Sequence, residues 1–271
     1  MSEVAAPARV RLGGMALPDG VYIRSNKAWA IARTDGSVET GLVQQTKTST
    51  VPVVRVLAAL AAGMQAVVRS AKGNPQGMRS TQRFAFVIVV LSAAHWLLAR
   101  YLGFDQGIGR AMIDPLFGAV VLGSMRILMP AALWRHHGAE HKAITAHEQG
   151  VDLGDLRGVA RVTAIHDRCG TNLVAILFLV TAVPLPRGPL GVVAPLVMVA
   201  SAAELLALAM RRAGGTRFTR AILAPGRFLQ RAVTIREPSP EELLVGVRAV
   251  EACLSEHAAA VRAESPRPVA A

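Results

Sequence analysis

Aromatic side chains are scarce in this sequence, 4% of 271 residues, and cysteines number only two. Acidic side chains are few as well, 18 against 30 Lys and Arg. Two cysteines exclude a disulfide scaffold. Long polar tracts of low hydrophobicity are missing, which excludes intrinsic disorder, and no internal repeat marks a solenoid. What abounds is aliphatic: 52% of residues are hydrophobic, mean hydropathy is +0.39 and the formal charge is +12. Soluble globules seldom combine positive mean hydropathy with a pI near 11.2. The combination predicts apolar membrane spans flanked by basic segments that face an anionic leaflet. Because the basic residues flank apolar runs instead of clustering on a polar domain, no nucleic-acid partner is expected.

From Phe84 the chain runs FAFVIVVLSAAHWLLARYL, long enough to cross a bilayer as a helix. A second apolar stretch, Ile113 to Trp134, carries Asp114 near one end and Arg126 nearer the other. NLVAILFLVTAVPL and PLGVVAPLVMVASAAELLALAM follow after a polar interval. Pro184, Pro186 and Pro189 make the third stretch either a full span or half of a re-entrant hairpin with the fourth. About four spans are therefore expected. Segment 1–83 carries 11 Lys and Arg, the tail from Arg211 carries 10, and residues 134–171 carry 5. With four spans these three segments share one side, which the positive-inside rule makes cytoplasmic. The expectation is a multi-pass protein of the cell (inner) membrane with both termini cytoplasmic. Cys169 and Cys253 then lie in a reducing compartment and stay unpaired.

The fold class expected is mainly α, a polytopic helical membrane protein with a small N-terminal β-meander and a C-terminal amphipathic helix. VYIRS and AWAIAR alternate in polarity, Ser25-Asn26 turns the chain between them, and Asp35-Gly36 is a hairpin dipeptide. This places the meander in 1–50, an interfacial helical segment in 51–83 and the first two spans in 84–134. A His-rich cytoplasmic loop then occupies 135–171, the third and fourth spans 172–210, and a basic tail 211–271. Within the tail, Ser239-Pro240-Glu241-Glu242 reads as a capping box that opens an amphipathic helix over 240–263. Leu243, Leu244, Val247, Val250 and Leu254 line one face of it, and Cys253 reads as a buried small hydrophobe.

Five of the seven histidines fall in WRHHGAEHKAITAHEQG and AIHDRCGTN. On a helix His137, His141 and Glu148 fall within about 40° of one another. His137 and His141 are one turn apart, the spacing at which two imidazoles share a metal ion. Glu148 lies about 10 Å beyond His141 along a straight helix, so it serves a second ion or a substrate unless the helix breaks. His137-Gly138-Ala139-Glu140-His141 is also the H-x-x-E-H pattern of inverted zinc hydrolases, in which the glutamate handles the proton of the attacking water. His166 and Cys169 lie on the same expected side and complete a candidate site. Cys169 reads either as a soft ligand or as a half-buried small residue, and Arg168 as a contact to an anionic substrate or to headgroups. His136 and His147 point off the face. Gly138 weakens a helix, which argues against a merely solvated one. Glu204 is an ionisable residue inside the fourth stretch, with Arg126 as its expected partner. The two form a structural ion pair, or Glu204 serves as another ligand or as a proton carrier, whereas His95 suits a helix–helix hydrogen bond.

With these residues in view the chain resembles the YqhQ-like family of membrane proteins. The likeness rests on Gly13-Gly14 with Gly20-Val21 and Arg24-Ser25, on His137-Gly138-Ala139-Glu140-His141-Lys142, and on His166 with Arg168-Cys169-Gly170-Thr171. Glu204, Pro225-Gly226, Gln230 and Glu237-Pro238 extend it. The resemblance implies a metal-dependent enzyme whose candidate site residues are His137, Glu140, His141, Glu148, His166 and Cys169. His136 stands where that pattern usually has tyrosine, and Asp19 where it usually has glutamate. The resemblance implies no substrate.

The functional expectation is a metal-dependent hydrolase at the cytoplasmic membrane surface, with a divalent ion, zinc best suiting the donors. His137 and His141 would be ligands and His166 or Cys169 a third, with Glu140 as general base and Arg168 or Lys142 steadying an anionic group. A lipid headgroup or a membrane-embedded peptide would be the substrate, with anionic headgroups as surroundings. Two other classes compete. One is a transporter or ion-coupled protein that uses His95, Arg126 and Glu204 and is assembled as a homo-oligomer. The other is an assembly or scaffold protein whose metal is structural.

Overall fold

The computed structural model describes residues 9–43, 75–102, 107–181 and 216–264, with scattered helical positions in 54–58 and 197–207. Most of the expected interfacial segment 51–83, the three prolines of the third stretch and most of the fourth lie outside the described residues. In chain order the elements are β1 (Gly13–Leu17), β2 (Gly20–Arg24), β3 (Ala28–Arg33), β4 (Val38–Leu42), α1 (Pro75–Tyr101), α2 (Gly107–Leu128) and α3 (Ala131–Gln149). There follow α4 (Leu156–Arg161), α5 (Thr171–Thr181), α6 (Arg217–Leu229), a π-helical turn Gln230–Thr234 and α7 (Pro240–Glu264). The protein is mainly helical with an N-terminal antiparallel sheet. It divides into two compact units, one of residues 1–46, 131–166 and 235–271, the other of 47–130 and 167–234.

The first unit is built on the expected meander, with strand order β1-β2-β3-β4. Register runs Gly13 opposite Arg24, Tyr22 opposite Ile31 and Ala32 opposite Val38. Gly36 adopts φ +88° at the β3–β4 turn, the left-handed conformation that the Asp-Gly dipeptide predicts. Asp35 Oδ1 accepts from the Ser37 amide and hydroxyl to close that turn. Alternation buries Val21, Ile23, Ala30 and Ala32 on one face, where α3 and α7 cover them with Ala143, Ile144, Leu243, Val247 and Val250. The capping box forms as expected: the Ser239 amide donates to Glu242 and the Glu242 amide donates to the Ser239 hydroxyl.

The interval expected as a loop is largely α3, and it is buried. Twelve of its residues are buried, among them His136, Glu140, His141 and Lys142. Two glycines permit this. A Cβ at Gly138 would overlap the Arg236 carbonyl oxygen, and one at Gly246 on α7 would lie 2.8 Å from the Ala139 carbonyl oxygen. The apolar stretch expected to run unbroken from Ile113 to Trp134 divides, because α2 ends at Leu128 and Pro130 cannot continue its hydrogen bonding. Trp134 belongs to α3 and is buried.

In the second unit α1 packs along α2, and α5 against α6. Gly226 of α6 meets Asn172 of α5 so closely that any Cβ there would strike the Asn172 carboxamide. Arg227 holds Asp167 with its Nε and Nη2, each at 2.8 Å. Phe86, Val89 and Trp96 of α1 and Met112, Leu116 and Ile127 of α2 are 63–82% exposed. Among the described residues no single helix is long and apolar enough to cross a membrane; residues 112–128 and 131–149 meet that measure only as a broken pair.

Candidate metal centre

Helix α3 sets His137 and His141 one turn apart, and their rings meet edge-on with centroids 4.4 Å apart. The chain then leaves α3 at Gly150, whose φ of +77° lets it turn sharply, and passes through α4. On the way back it delivers His166, whose ring centroid lies 5.6 Å from that of His141. His166 Nε2 donates to Glu148 Oε2 at 3.3 Å. Three imidazoles and one carboxylate, separated by up to 29 positions in sequence, thus form one cluster.

The protonation pattern suits a metal. His141 Nδ1 donates to the Ala164 carbonyl at 2.5 Å, so Nε2 is the unprotonated nitrogen. Burial, reinforced by His137 and His166, lowers the His141 pKa to about 2, which keeps the ring neutral at physiological pH. His137 and His141 belong to a group of side chains that could hold a metal ion, and Cys169, the expected thiol ligand, belongs to the second unit. Cys169 sits in a local turn, its Sγ donating to Thr171 Oγ1 and accepting from the Thr171 amide.

Other expected site residues lie elsewhere. Glu140 faces β1, with Oε1 packed so tightly on Gly14 that a Cβ there would lie 2.8 Å away. Its Oε2 is buried with no hydrogen-bond partner, and burial raises the carboxyl pKa to about 8. This is where the structure places the residue expected as the general base. Lys142, expected to steady an anion, is buried: its Nζ donates to the Ala160 carbonyl at 2.5 Å and pairs with Glu237 at 2.6 Å. Its charge is spent inside the fold. His136, dismissed on its direction, is fully buried; Nδ1 donates to the Leu17 carbonyl and burial lowers its pKa. Arg168 is exposed. Arg126 lies in the last turn of α2, and Arg126 and Glu204 are both half-buried.

His95 does make a helix–helix bond, to Asp114 Oδ1 at 2.9 Å, with its ring against Phe117. Sequence reasoning left Asp114 without a role. The signal was present, since a carboxylate inside an apolar run needs a partner as much as Glu204 does. The tie from Lys142 to Glu237 had no comparable signal.

No curated protein and no solved structure matches this chain. Residues 51–256, well over half of the sequence, match the family described as Protein of unknown function (DUF1385), and the chain belongs to that family. The β-meander precedes the matched residues.

Proposed function

We propose that this member of the DUF1385 family is a membrane-associated, metal-dependent hydrolase whose centre is carried by α3 and the segment that returns through His166. The observation that carries the reading is the His141 ring. It is buried and neutral, locked by the Ala164 carbonyl, and points its unprotonated nitrogen into a cluster with His137 and His166. Clustered imidazoles are a donor set for zinc or a similar divalent ion. A bound ion would supply Lewis acidity toward a carbonyl or phosphoryl oxygen and would acidify water. His137, His141 and His166 would hold it, with His166 oriented by Glu148. Glu148 replaces Glu140 as the carboxylate that takes a proton, because it is half-exposed and already bonded within the cluster. Arg168, exposed near this segment in sequence, would meet an anionic group of a lipid headgroup or of a membrane-embedded peptide.

Membrane association rests on the exposed apolar faces of α1 and α2 and on the charge distribution. Large side chains such as Trp96 and Ile127 are more exposed than an aqueous surface favours, and basic segments flank them. The proposed location is the cell membrane, with the centre on the cytoplasmic side.

The test is elemental analysis of the full chain purified in detergent without chelator, beside His137→Ala and His166→Ala. About one equivalent of zinc, manganese or iron, lost in both variants, supports the reading and directs lipid and peptide hydrolysis assays. Wild-type protein without metal refutes it. The bond from His95 to Asp114 between two apolar helices favours a second reading, an ion-coupled protein. In that case Asp114→Asn abolishes function while His137→Ala retains it.

A further inference from the structure

Between Glu204 and Glu237 the sequence holds seven arginines and no acidic residue. Helix α6 gives part of that run a defined geometry. Thr219, Leu223 and Gly226 are buried on one side, and buried Gln230 continues that side into the π-helical turn. Arg217, Ala221, Ala224 and Phe228 fall within about 60° of one another on the opposite side, and all four are exposed. Arg220 lies about 40° beyond that stripe and Arg231 follows in the π-helical turn; both are exposed. Phe228 is 66% exposed. Arg227, by contrast, is consumed by Asp167. No ion pair among the described residues involves Arg217, Arg220 or Arg231.

We infer that the outer face of α6 is a docking surface for the headgroups of anionic phospholipid. A face of guanidinium groups, small residues and one phenyl ring, without a carboxylate, matches the boundary between phosphate and acyl chain. Guanidinium planes bind phosphate oxygens in pairs, and the ring enters the apolar layer just beneath. A folded nucleic acid would use the arginines equally well but offers Phe228 no apolar layer. The inference rests on the membrane association proposed above and is independent of the metal.

The experiment uses the full chain in a mild non-ionic detergent. Its thermal unfolding is followed while phosphatidylglycerol or phosphatidylcholine is titrated in, and the same is done for R217Q/R220Q/R231Q and for R217K/R220K/R231K. Selective stabilisation by phosphatidylglycerol is expected. Its half-effect concentration should rise about a hundredfold in the glutamine variant, at roughly fivefold per arginine, and largely recover in the lysine variant. Equal response to both lipids, or an unchanged response in a glutamine variant of native helicity, overturns the inference and leaves membrane association standing. So does an equal shift from inorganic phosphate or an RNA oligonucleotide. If cell membranes release the wild-type chain on alkaline extraction and vesicles of either lipid fail to bind it, membrane association itself fails.

Discussion

Glu140 offers a sharp test of the packing. Its carboxyl is buried without a partner, and its pKa is raised from 4.5 to about 8. For an acid, a raised folded pKa means that the unfolded chain releases the proton first. Stability is therefore greatest below the unfolded value and declines as pH climbs from 4.5 toward 8. At 1.36 kcal/mol per pKa unit, the burden on the fold is about 1 kcal/mol near pH 5 and about 4 kcal/mol near pH 8. His141 works in the opposite direction. Its folded pKa is lowered from 6.5 to about 2, so its contribution is present at neutral pH and fades as pH falls below 6.5. A single pH profile would mix the two. Glu140→Gln separates them, because glutamine has the same shape, carries no charge and leaves His141 in place. Denaturant unfolding of chelated, metal-free protein in mild detergent should find the variant ahead of wild type by roughly 3 kcal/mol more at pH 8 than at pH 5. Any penalty for burying the amide is independent of pH and cancels in that difference. Parallel stabilities for the two proteins would refute the placement of Glu140 in a dry contact with β1.

Glu148→Gln should weaken metal binding by about 10- to 100-fold without unfolding the protein, since it loosens the orientation of His166; a competitive chelator titration reads this. Gly138→Ala should destabilise by about 1–3 kcal/mol in denaturant unfolding, because the new methyl group overlaps the Arg236 carbonyl oxygen. Ser239→Ala removes the N-cap of α7 and should cost about 1 kcal/mol by the same assay, with metal content unchanged.

Much of the local structure is legible in the residues themselves. Alternation in VYIRS and AWAIAR and the Asp35-Gly36 dipeptide mark the meander, because strand and turn chemistry act over a few positions. Ser239 to Glu242 marks the start of α7 for the same reason. The single turn between His137 and His141 follows from helical spacing alone, and so does the common face that makes them ligand candidates. Pro130 also announced the break after α2, although hydrophobicity drew a continuous stretch across it. Periodicity, however, says which residues share a face and not what that face meets. Glu140 and Lys142 flank His141 in sequence, and the tertiary structure sends one against β1 and the other to Glu237. It closes α3 between the sheet and α7 through Gly138 and Gly246, turning an expected loop into a buried helix. It brings His166 back to His141 and Glu148, a meeting set by the path from Gly150 through α4. Helix spacing and turn chemistry are local and determine the candidate ligands. Burial and the return of the chain are long-range, and they alone decide which ligands converge and which charges are already consumed.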